Sequence, residues 1–377
     1  MRNGLLNDFE PHSAESWMEQ LKKDLKGEPV EQLLWKTQGL SGKPFYTSED
    51  IDFEPFNYSN FSKDSGLFGD RYWVNYQPLN GDDPAANNKA LMALANGATG
   101  LCFSLKSIPD FNSLLKDIQP EYCHLAFELT ESIDSSDFLD ALHTYLDQSS
   151  IDAKKVSGYI YSGESLVNET SGIKSIGVSV ENSGYAAPDL AVSLARMIEQ
   201  IDQLTTEGKS LENCLSNTFF KLQISNDFFL EIARHRALRR LFKSVSSAYG
   251  QAKYNTEMIS QAGPWTSSID DPHSFMLHAT TQVMAAIMGG TDAIAVLPFY
   301  EIFPNKQSLA ERMARNISPI LNEESYLGKV VDPAAGSYYI EQLTETLYRD
   351  ALTLLQKIEA EGGISKTDVE QLKKDAQ

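Results

Sequence analysis

The sequence predicts an α/β protein built as a (β/α)8 TIM barrel, and two observations carry this prediction. From residue 70 onward, short runs rich in β-branched and aromatic residues alternate with longer stretches of helical periodicity. Eight such strand candidates occur before residue 300, the number that closes a parallel barrel. A doubly wound open sheet is the rival architecture. No G-x-G-x-x-G or G-x-x-x-x-G-K-[ST] motif follows any strand, which weakens the nucleotide-binding versions of that rival.

The first 65 residues differ from the rest of the chain. Residues 13–27 predict a short amphipathic helix, in which Ser13 is a candidate N-cap and Gly27 a stop. The segment that follows has little periodicity but many rings, among them Trp35, Phe45, Tyr46, Phe53, Phe56, Tyr58 and Phe61. Such a segment needs a surface to lie on, either its own barrel or a partner chain. We therefore expect residues 1–65 to form an N-terminal helix and an extended arm.

Residues 66–330 are expected to form the barrel. The predicted strands are 71–77, 100–105, 124–130, 157–162, 175–180, 219–225, 255–260 and 292–298. The clearest helices between them are 87–97, 136–148, 188–204, 226–249 and 272–290. In a barrel of this kind, a site would lie at the C-terminal ends of the strands.

Residues 331–377 are expected to form a C-terminal helical extension. A turn containing Pro and Gly precedes a stretch whose apolar side carries Leu343, Leu347, Leu352 and Leu355. The last residues are polar and resemble a linker.

The composition excludes several classes of function. The chain has 32 Lys plus Arg against 52 Asp plus Glu, a formal charge of −20, which repels nucleic-acid phosphates and anionic lipids. The three cysteines have no C-x-x-C spacing, so neither a zinc ribbon nor a disulfide framework is indicated. No signal peptide and no run of about 18 apolar residues occurs. These features predict a soluble, cytoplasmic protein.

Seven stretches of the chain, taken in order, resemble one enzyme family. They are LKGEPVEQLLWKTQGLSGKPFY, SGYAAPDLAVSLARM, FFLEIARHRALRRLF, ISQAGPWTSSIDDP, MAAIMGGTDAI, RMARNI and VVDPAAGSYYIEQLT. The chain is similar in these stretches to the adenosylcobalamin-dependent acyl-CoA mutases, methylmalonyl-CoA mutase in particular, and most of all to the small, non-catalytic subunit of that enzyme.

The resemblance implies a barrel that holds acyl-CoA along its axis and a separate domain that binds the corrinoid through the His of a D-x-H-x-x-G motif. This motif does not occur in the sequence. We therefore expect adenosylcobalamin to be bound mainly by a partner and not by this chain alone.

The resemblance also places two family catalytic positions on unsuitable side chains. Val178 stands where the family has a His in the fifth-strand segment, and Pro78 stands where it has a Tyr after the first strand, although Trp73 and Gln77 are retained. The Arg of a third family motif has no counterpart. Val and Pro side chains cannot donate to a thioester oxygen, so no catalytic residue is expected.

The acyl-CoA path is altered in the same comparison. Glu257 and Ile259 replace an Arg and a His, and two CoA-contact positions become Asn217 and Phe219. A carboxylate in place of a cation repels an anionic ligand.

Three positions remain as candidate contacts. Gln261 and Gln77 are the candidate substrate contacts, and Glu301 matches a family Glu that faces the corrin. A leftover polar residue in the barrel core is the ordinary alternative for Gln261, and a solvated loop carboxylate is the alternative for Glu301.

The remaining candidates have structural explanations. The basic helix face formed by His235, Arg236, Arg239 and Arg240 could pair with a CoA phosphate, but a solvated face or structural salt bridges are favoured. His273 and His278 are five residues apart, which does not put two metal ligands on one helix face, so no metal is expected.

Two functions follow from the resemblance. The favoured one is the small, non-catalytic barrel subunit of a heterodimeric methylmalonyl-CoA mutase, whose large subunit interconverts methylmalonyl-CoA and succinyl-CoA. Residues 30–61 would then wrap this partner, because so many exposed rings would otherwise promote aggregation. The alternative is an acyl-CoA mutase with a remodelled active site that uses a cobalamin-binding domain on a separate chain.

Overall fold

The computed structural model describes residues 12–58, 71–163, 167–168, 172–264, 272–299 and 307–375. The α-helices of this part of the chain are α1 (Ala14–Asp24), α2 (Ala86–Ala95), α3 (Phe111–Leu114), α4 (Ser135–Gln148), α5 (Ala186–Thr206), α6 (Leu211–Asn217), α7 (Phe228–Ala248), α8 (Pro272–Gly289), α9 (Gln307–Glu323), α10 (Tyr338–Ala360) and α11 (Val369–Asp375). The strands are β1 (Trp35–Thr37), β2 (Leu40–Gly42), β3 (Val74–Asn80), β4 (Gly100–Leu105), β5 (His124–Leu129), β6 (Ser157–Tyr161), β7 (Gly172–Lys174), β8 (Ile176–Val180), β9 (Thr218–Gln223), β10 (Glu257–Ala262) and β11 (Ala293–Val296).

One parallel sheet forms the centre of the molecule. Its strands lie in the order β7-β6-β5-β4-β3-β11-β10-β9-β8, and each neighbouring pair is parallel. Helices follow most of the strands, as parallel connections require. The predicted α/β barrel is confirmed, and each of the eight predicted strands is found.

The two edges of the sheet meet in one stretch of chain. Residues of β7 pair with β6, those of β8 pair with β9, and Ser175 alone separates β7 from β8. This interrupted strand brings both edges of the sheet to the same place, so the barrel is nearly closed.

Alternate residues of each strand point to opposite sides of the sheet, so their side chains belong to two different layers of the core. Outward side chains such as Phe127, Phe220 and Ile294 are fully buried under the surrounding helices. Inward side chains, among them Tyr76 and Phe219, form a separate apolar cluster along the barrel axis. The period of two within a strand produces this division.

Side-chain caps fix the start of several helices. Ser13 accepts a hydrogen bond from the backbone N–H of Ser16, which confirms the predicted N-cap of α1. Asp134 does the same for two N–H groups at the start of α4. A cap of this kind typically contributes about 1 kcal/mol.

The N-terminal segment lies on the chain's own helices. Trp35 contacts Tyr339 of α10 edge to face, with ring centroids 5.9 Å apart. The buried Tyr58 ring covers the guanidinium of Arg236 at 4.1 Å. Of the two expected surfaces, the chain's own barrel or a partner chain, Trp35 and Tyr58 use the first, because they lie on α10 and α7.

The C-terminal extension is attached through the basic face of α7. The guanidinium of Arg236 is 1% exposed, binds Glu341 of α10 at 2.8 Å and also binds Asp332. Arg240 binds Glu345 one turn further along both helices. The structural salt bridges predicted for this face are confirmed, and these two arginines are committed to the fold.

Within the described residues, no helix combines the length and the apolar character that a membrane span requires.

Candidate functional site

The candidate site is the interior of the barrel, where the resemblance described above leads us to expect an acyl-CoA path. Three aromatic rings fill its centre. Tyr76 of β3 lies 5.4 Å from Tyr159 of β6, and Tyr159 lies 5.0 Å from Phe219 of β9, measured between ring centroids. All three side chains are buried. The rings contact one another along the axis, so the chain itself occupies the space that a threaded ligand would need.

Gly177 of β8 shows how completely this space is used. A Cβ atom at this position would lie 2.5 Å from the Phe219 ring and 2.6 Å from the Tyr161 ring. These distances are shorter than real Cβ contacts allow. The glycine therefore makes room for the ring of Phe219 on the neighbouring strand β9 and for the ring of Tyr161 on β6.

A polar cluster lies next to the aromatic rings. Lys221 Nζ is 2.5 Å from Glu128 Oε1, and the same oxygen accepts a hydrogen bond from the Tyr159 hydroxyl at 3.3 Å. The Cys102 thiol lies 3.3 Å from that hydroxyl and 3.5 Å from Glu128. Lys221 also lies 5.2 Å from the centroid of the Tyr161 ring. The carboxylate of Glu128 is thus the acceptor that joins β4, β5, β6 and β9.

Burial controls the protonation of this cluster. Desolvation raises the pKa of the Cys102 thiol far above its usual value, and the nearby Glu128 carboxylate adds to the effect. Desolvation likewise raises the pKa of Tyr159 well above 10. Both groups are therefore protonated at neutral pH. Because the thiolate is the nucleophilic form of cysteine, Cys102 is not an activated nucleophile.

Two of the sequence-predicted site residues face away from the axis. The carboxamide of Gln77 accepts a hydrogen bond from Arg315 of α9 at 3.2 Å and is 2% exposed. Val178 packs in the outer core with residues of α5 and α7. Neither side chain therefore reaches the interior of the barrel, because each lies on the outward face of its strand.

Other predicted positions do face inward. Pro78 lies on the same face of β3 as Tyr76, and Gln261 lies on the same face of β10 as Ile259, an axial residue. Gln261 is near the C-terminal end of its strand, on the side of the barrel where sites are built.

The altered CoA-contact positions have different surroundings. Phe219 is one of the three axial rings, so the changed residue itself fills the path. The Asn217 amide donates to the Asn213 carbonyl at 2.9 Å at the end of α6. Glu257 begins β10, at the end of the barrel opposite to Gln261.

One predicted residue, Glu301, lies outside the described residues.

The Lys221–Glu128 pair was not predicted from the sequence. A usable signal was present, since each residue is the charged member of an otherwise mainly apolar β-strand pattern, in TFFKLQ and HLAFEL. A charge within a buried strand is rare unless it is paired, so two such strands indicate an internal ion pair.

Among the described residues at the C-terminal end of the barrel, no set of side chains is arranged to hold a corrinoid or a metal. Among the described inward-facing residues here, the cation and the carboxylate bind each other, and none is an imidazole. No group of three or more His, Cys, Asp or Glu side chains with metal-binding geometry occurs in the described part of the chain.

These features define an α/β-barrel protein whose axis is occupied by its own side chains. The sequence model of the methylmalonyl-CoA mutase family matches residues 144–375, and the chain belongs to this family.

Two small-subunit relatives match over more of the chain than this model does. The methylmalonyl-CoA mutase small subunit of Porphyromonas gingivalis is 31% identical over 96% of this chain and 65% of its own length. The Streptomyces virginiae small subunit is 29% identical over 90% of this chain and 61% of its own length. An Escherichia coli methylmalonyl-CoA mutase is 32% identical over 49% of this chain and 26% of its own length. The chain thus spans less than two thirds of the length of these relatives.

Proposed function

We propose that this chain is the small, non-catalytic barrel subunit of a heterodimeric methylmalonyl-CoA mutase. Its large partner would interconvert methylmalonyl-CoA and succinyl-CoA and would bind most of the adenosylcobalamin. The observation that carries this proposal is the filled axis, where Tyr76, Tyr159 and Phe219 contact one another. The names of the two small-subunit relatives support the same assignment.

The chemistry of the interior supports an inactive barrel. Polarising a thioester carbonyl requires a donor that is aimed at the developing charge and is not already committed. Lys221 is bound to Glu128, and the Tyr159 hydroxyl donates to the same carboxylate. A substrate would have to displace the rings and break this pair before reaching either donor.

Some finer assignments belong to this proposal. Gln261 would be the retained substrate-contact position, and Glu301 would face the cofactor carried by the partner. Residues 1–65 would form the partner-contacting arm, 66–330 the barrel and 331–377 the C-terminal extension. The complex would act in the cytoplasm.

An activity assay tests the proposal. The purified chain is mixed with adenosylcobalamin and methylmalonyl-CoA, with and without the large chain from the same organism, and succinyl-CoA formation is followed. We expect turnover in the presence of the large chain and none with the small chain alone. Turnover by this chain alone, or with only a free cobalamin-binding domain, would support the alternative of a remodelled mutase and refute a non-catalytic role.

A further inference from the structure

A groove crosses the N-terminal end of the barrel, on the face opposite to the predicted site. It consists of two adjoining cavities with volumes of about 550 and 430 Å³. Tyr72 and Thr99 line both cavities and lie immediately before β3 and β4. Chemistry in barrel enzymes is located at the other end, so a groove here is better suited to binding another molecule than to catalysis.

Exposed aromatic side chains lie along this groove. Tyr122 is 85% exposed just before β5, and Tyr72 is 43% exposed between the two cavities. Leu91 and Leu94 of α2 form an apolar wall, and Pro319 of α9 lines the far cavity. Tyrosines with an apolar surround are enriched in the centres of protein interfaces, where they contribute much of the binding energy. The groove therefore has the composition of a protein-binding surface.

The charged side chains that line the groove indicate what kind of molecule it binds. Its lining includes the carboxylates of Asp117, Glu121 and Glu323. Glu121 also has Lys155 at 3.7 Å, and because this lysine side chain is 66% exposed, the pair is weak.

The cation among these lining residues is turned inward. Arg71 is 6% exposed and donates to the carbonyls of Ile287 and Thr291, the second at 2.7 Å. The Arg71 guanidinium is therefore bound to backbone carbonyls beneath the groove and is not available to a ligand in the groove. The accessible charge at the groove is negative, and it complements Lys or Arg side chains.

Other occupants fit less well. The phosphates of a CoA molecule would face the same carboxylates and be repelled. A second copy of the chain would carry the same formal charge of −20, which opposes self-association.

We propose that this groove is the docking surface for a Lys- or Arg-bearing segment of the large mutase chain, with Tyr72 and Tyr122 as the apolar anchors. This inference rests on the proposed function, because that function supplies the partner.

The test measures the affinity between the full-length small and large chains by calorimetry or biolayer interferometry. The double variant Tyr72→Ser/Tyr122→Ser should bind the large chain at least tenfold more weakly than the wild type. The matched control is Tyr338→Ser, a tyrosine that is 44% exposed at the start of α10 and should leave the affinity unchanged.

A second pair of variants tests the charges. Asp117→Lys/Glu323→Lys should weaken binding about tenfold at low salt, and the loss should shrink as salt is raised, since exposed charges are screened. Glu370→Lys on α11 changes charge elsewhere and should have little effect. Each variant is first compared with the wild type by circular dichroism and urea unfolding, so that a folding defect is not read as lost binding.

The outcomes separate this inference from the proposed function. If the wild type binds the large chain and both groove variants bind it equally well, the groove inference is overturned and the subunit assignment stands. If the wild type does not bind the large chain, the subunit assignment fails and the inference fails with it. If the wild type self-associates and the groove variants do not, the groove binds a second copy of the chain and the inference is overturned. If free CoA at micromolar concentration competes with the large chain, the groove binds CoA and the inference is likewise overturned.

Discussion

Lys221 of β9 and Glu128 of β5 form an ion pair within the barrel, with 2.5 Å between Nζ and Oε1. Their side chains are 15% and 25% exposed, so both charges are partly withdrawn from water. Such a pair adds little net stability compared with an apolar interior, but each charge depends on the other once it is present. The pair therefore leaves the Lys221 ammonium bound to a carboxylate of the chain itself.

Removing the lysine should destabilise the protein. Lys221→Met leaves Glu128 without a cation, and we expect the free energy of unfolding to fall by about 2 kcal/mol in urea titration. Lys253→Met is the control, because Lys253 and its partner Glu212 are both more than half exposed. Its effect should stay within about 0.5 kcal/mol. Equal stability of Lys221→Met and wild type would show that the pair does not form.

Truncating the axial ring should have a larger effect. Phe219→Ala leaves a cavity between Tyr159 and Tyr161, and we expect a loss of roughly 3–5 kcal/mol with an unchanged dependence on urea. The control Phe229→Ala removes a ring that is 51% exposed on α7 and should cost much less. Similar losses for the two variants would be inconsistent with a packed axis.

The attachment of α10 depends on one buried arginine. Arg236→Met leaves Asp332 and Glu341 without their shared cation and removes the contact with Tyr58. A loss of about 3–5 kcal/mol is expected in chemical unfolding. Arg196→Met removes a pair with Glu181 in which both side chains are at least 40% exposed, and this change should be nearly neutral. If Arg236→Met leaves the free energy of unfolding unchanged, Arg236 does not hold α10 against α7.

The buried His235 should make stability depend on pH. Its Nε2 lies 2.8 Å from Ser260 Oγ, and its Nδ1 lies 2.7 Å from the Glu231 carbonyl. Desolvation, with a smaller contribution from nearby arginines, lowers the pKa of His235 from its usual 6.5 to about 4. Between pH 4 and 6.5 the unfolded chain therefore binds more protons than the folded one, so the free energy of unfolding decreases as the pH falls through this window.

A variant that lacks only His235 separates the effect of this histidine from the effects of the carboxylates. The stability advantage of the wild type over His235→Gln should shrink by roughly 3 kcal/mol between pH 7 and pH 4. The control His278→Gln changes an exposed histidine on α8 and should follow the wild type throughout. A constant gap between wild type and His235→Gln would mean that His235 is not held neutral by the fold.

The strands could be predicted because their signal is local. Runs such as GLCFSL and HLAFEL are short, apolar and bounded by polar segments, and both are strands in the structure. The hairpin of β1 and β2 could not be found in the same way, since its strands are three residues each. Their position is determined by packing of Trp35 and Leu40 on distant helices, which no local pattern encodes.

The site was harder to predict because its geometry depends on strand register. A one-residue shift in alignment exchanges the inward and outward faces of a strand. Gln77 and Val178 were selected by resemblance, yet both side chains point outward. The filled axis depends on rings from β3, β6 and β9 meeting in space, and no single segment of the sequence contains that information.

The position of Ser175 has a further consequence. Only Ser175 separates β7 from β8, which are the two edge strands of the sheet. The barrel therefore closes between two strands that are adjacent in the sequence. The short tether gives the edges a high effective concentration and makes the last step of closure inexpensive in chain entropy. A few residues inserted at this point should weaken the junction, because a longer tether raises the entropic cost of bringing the two edges together.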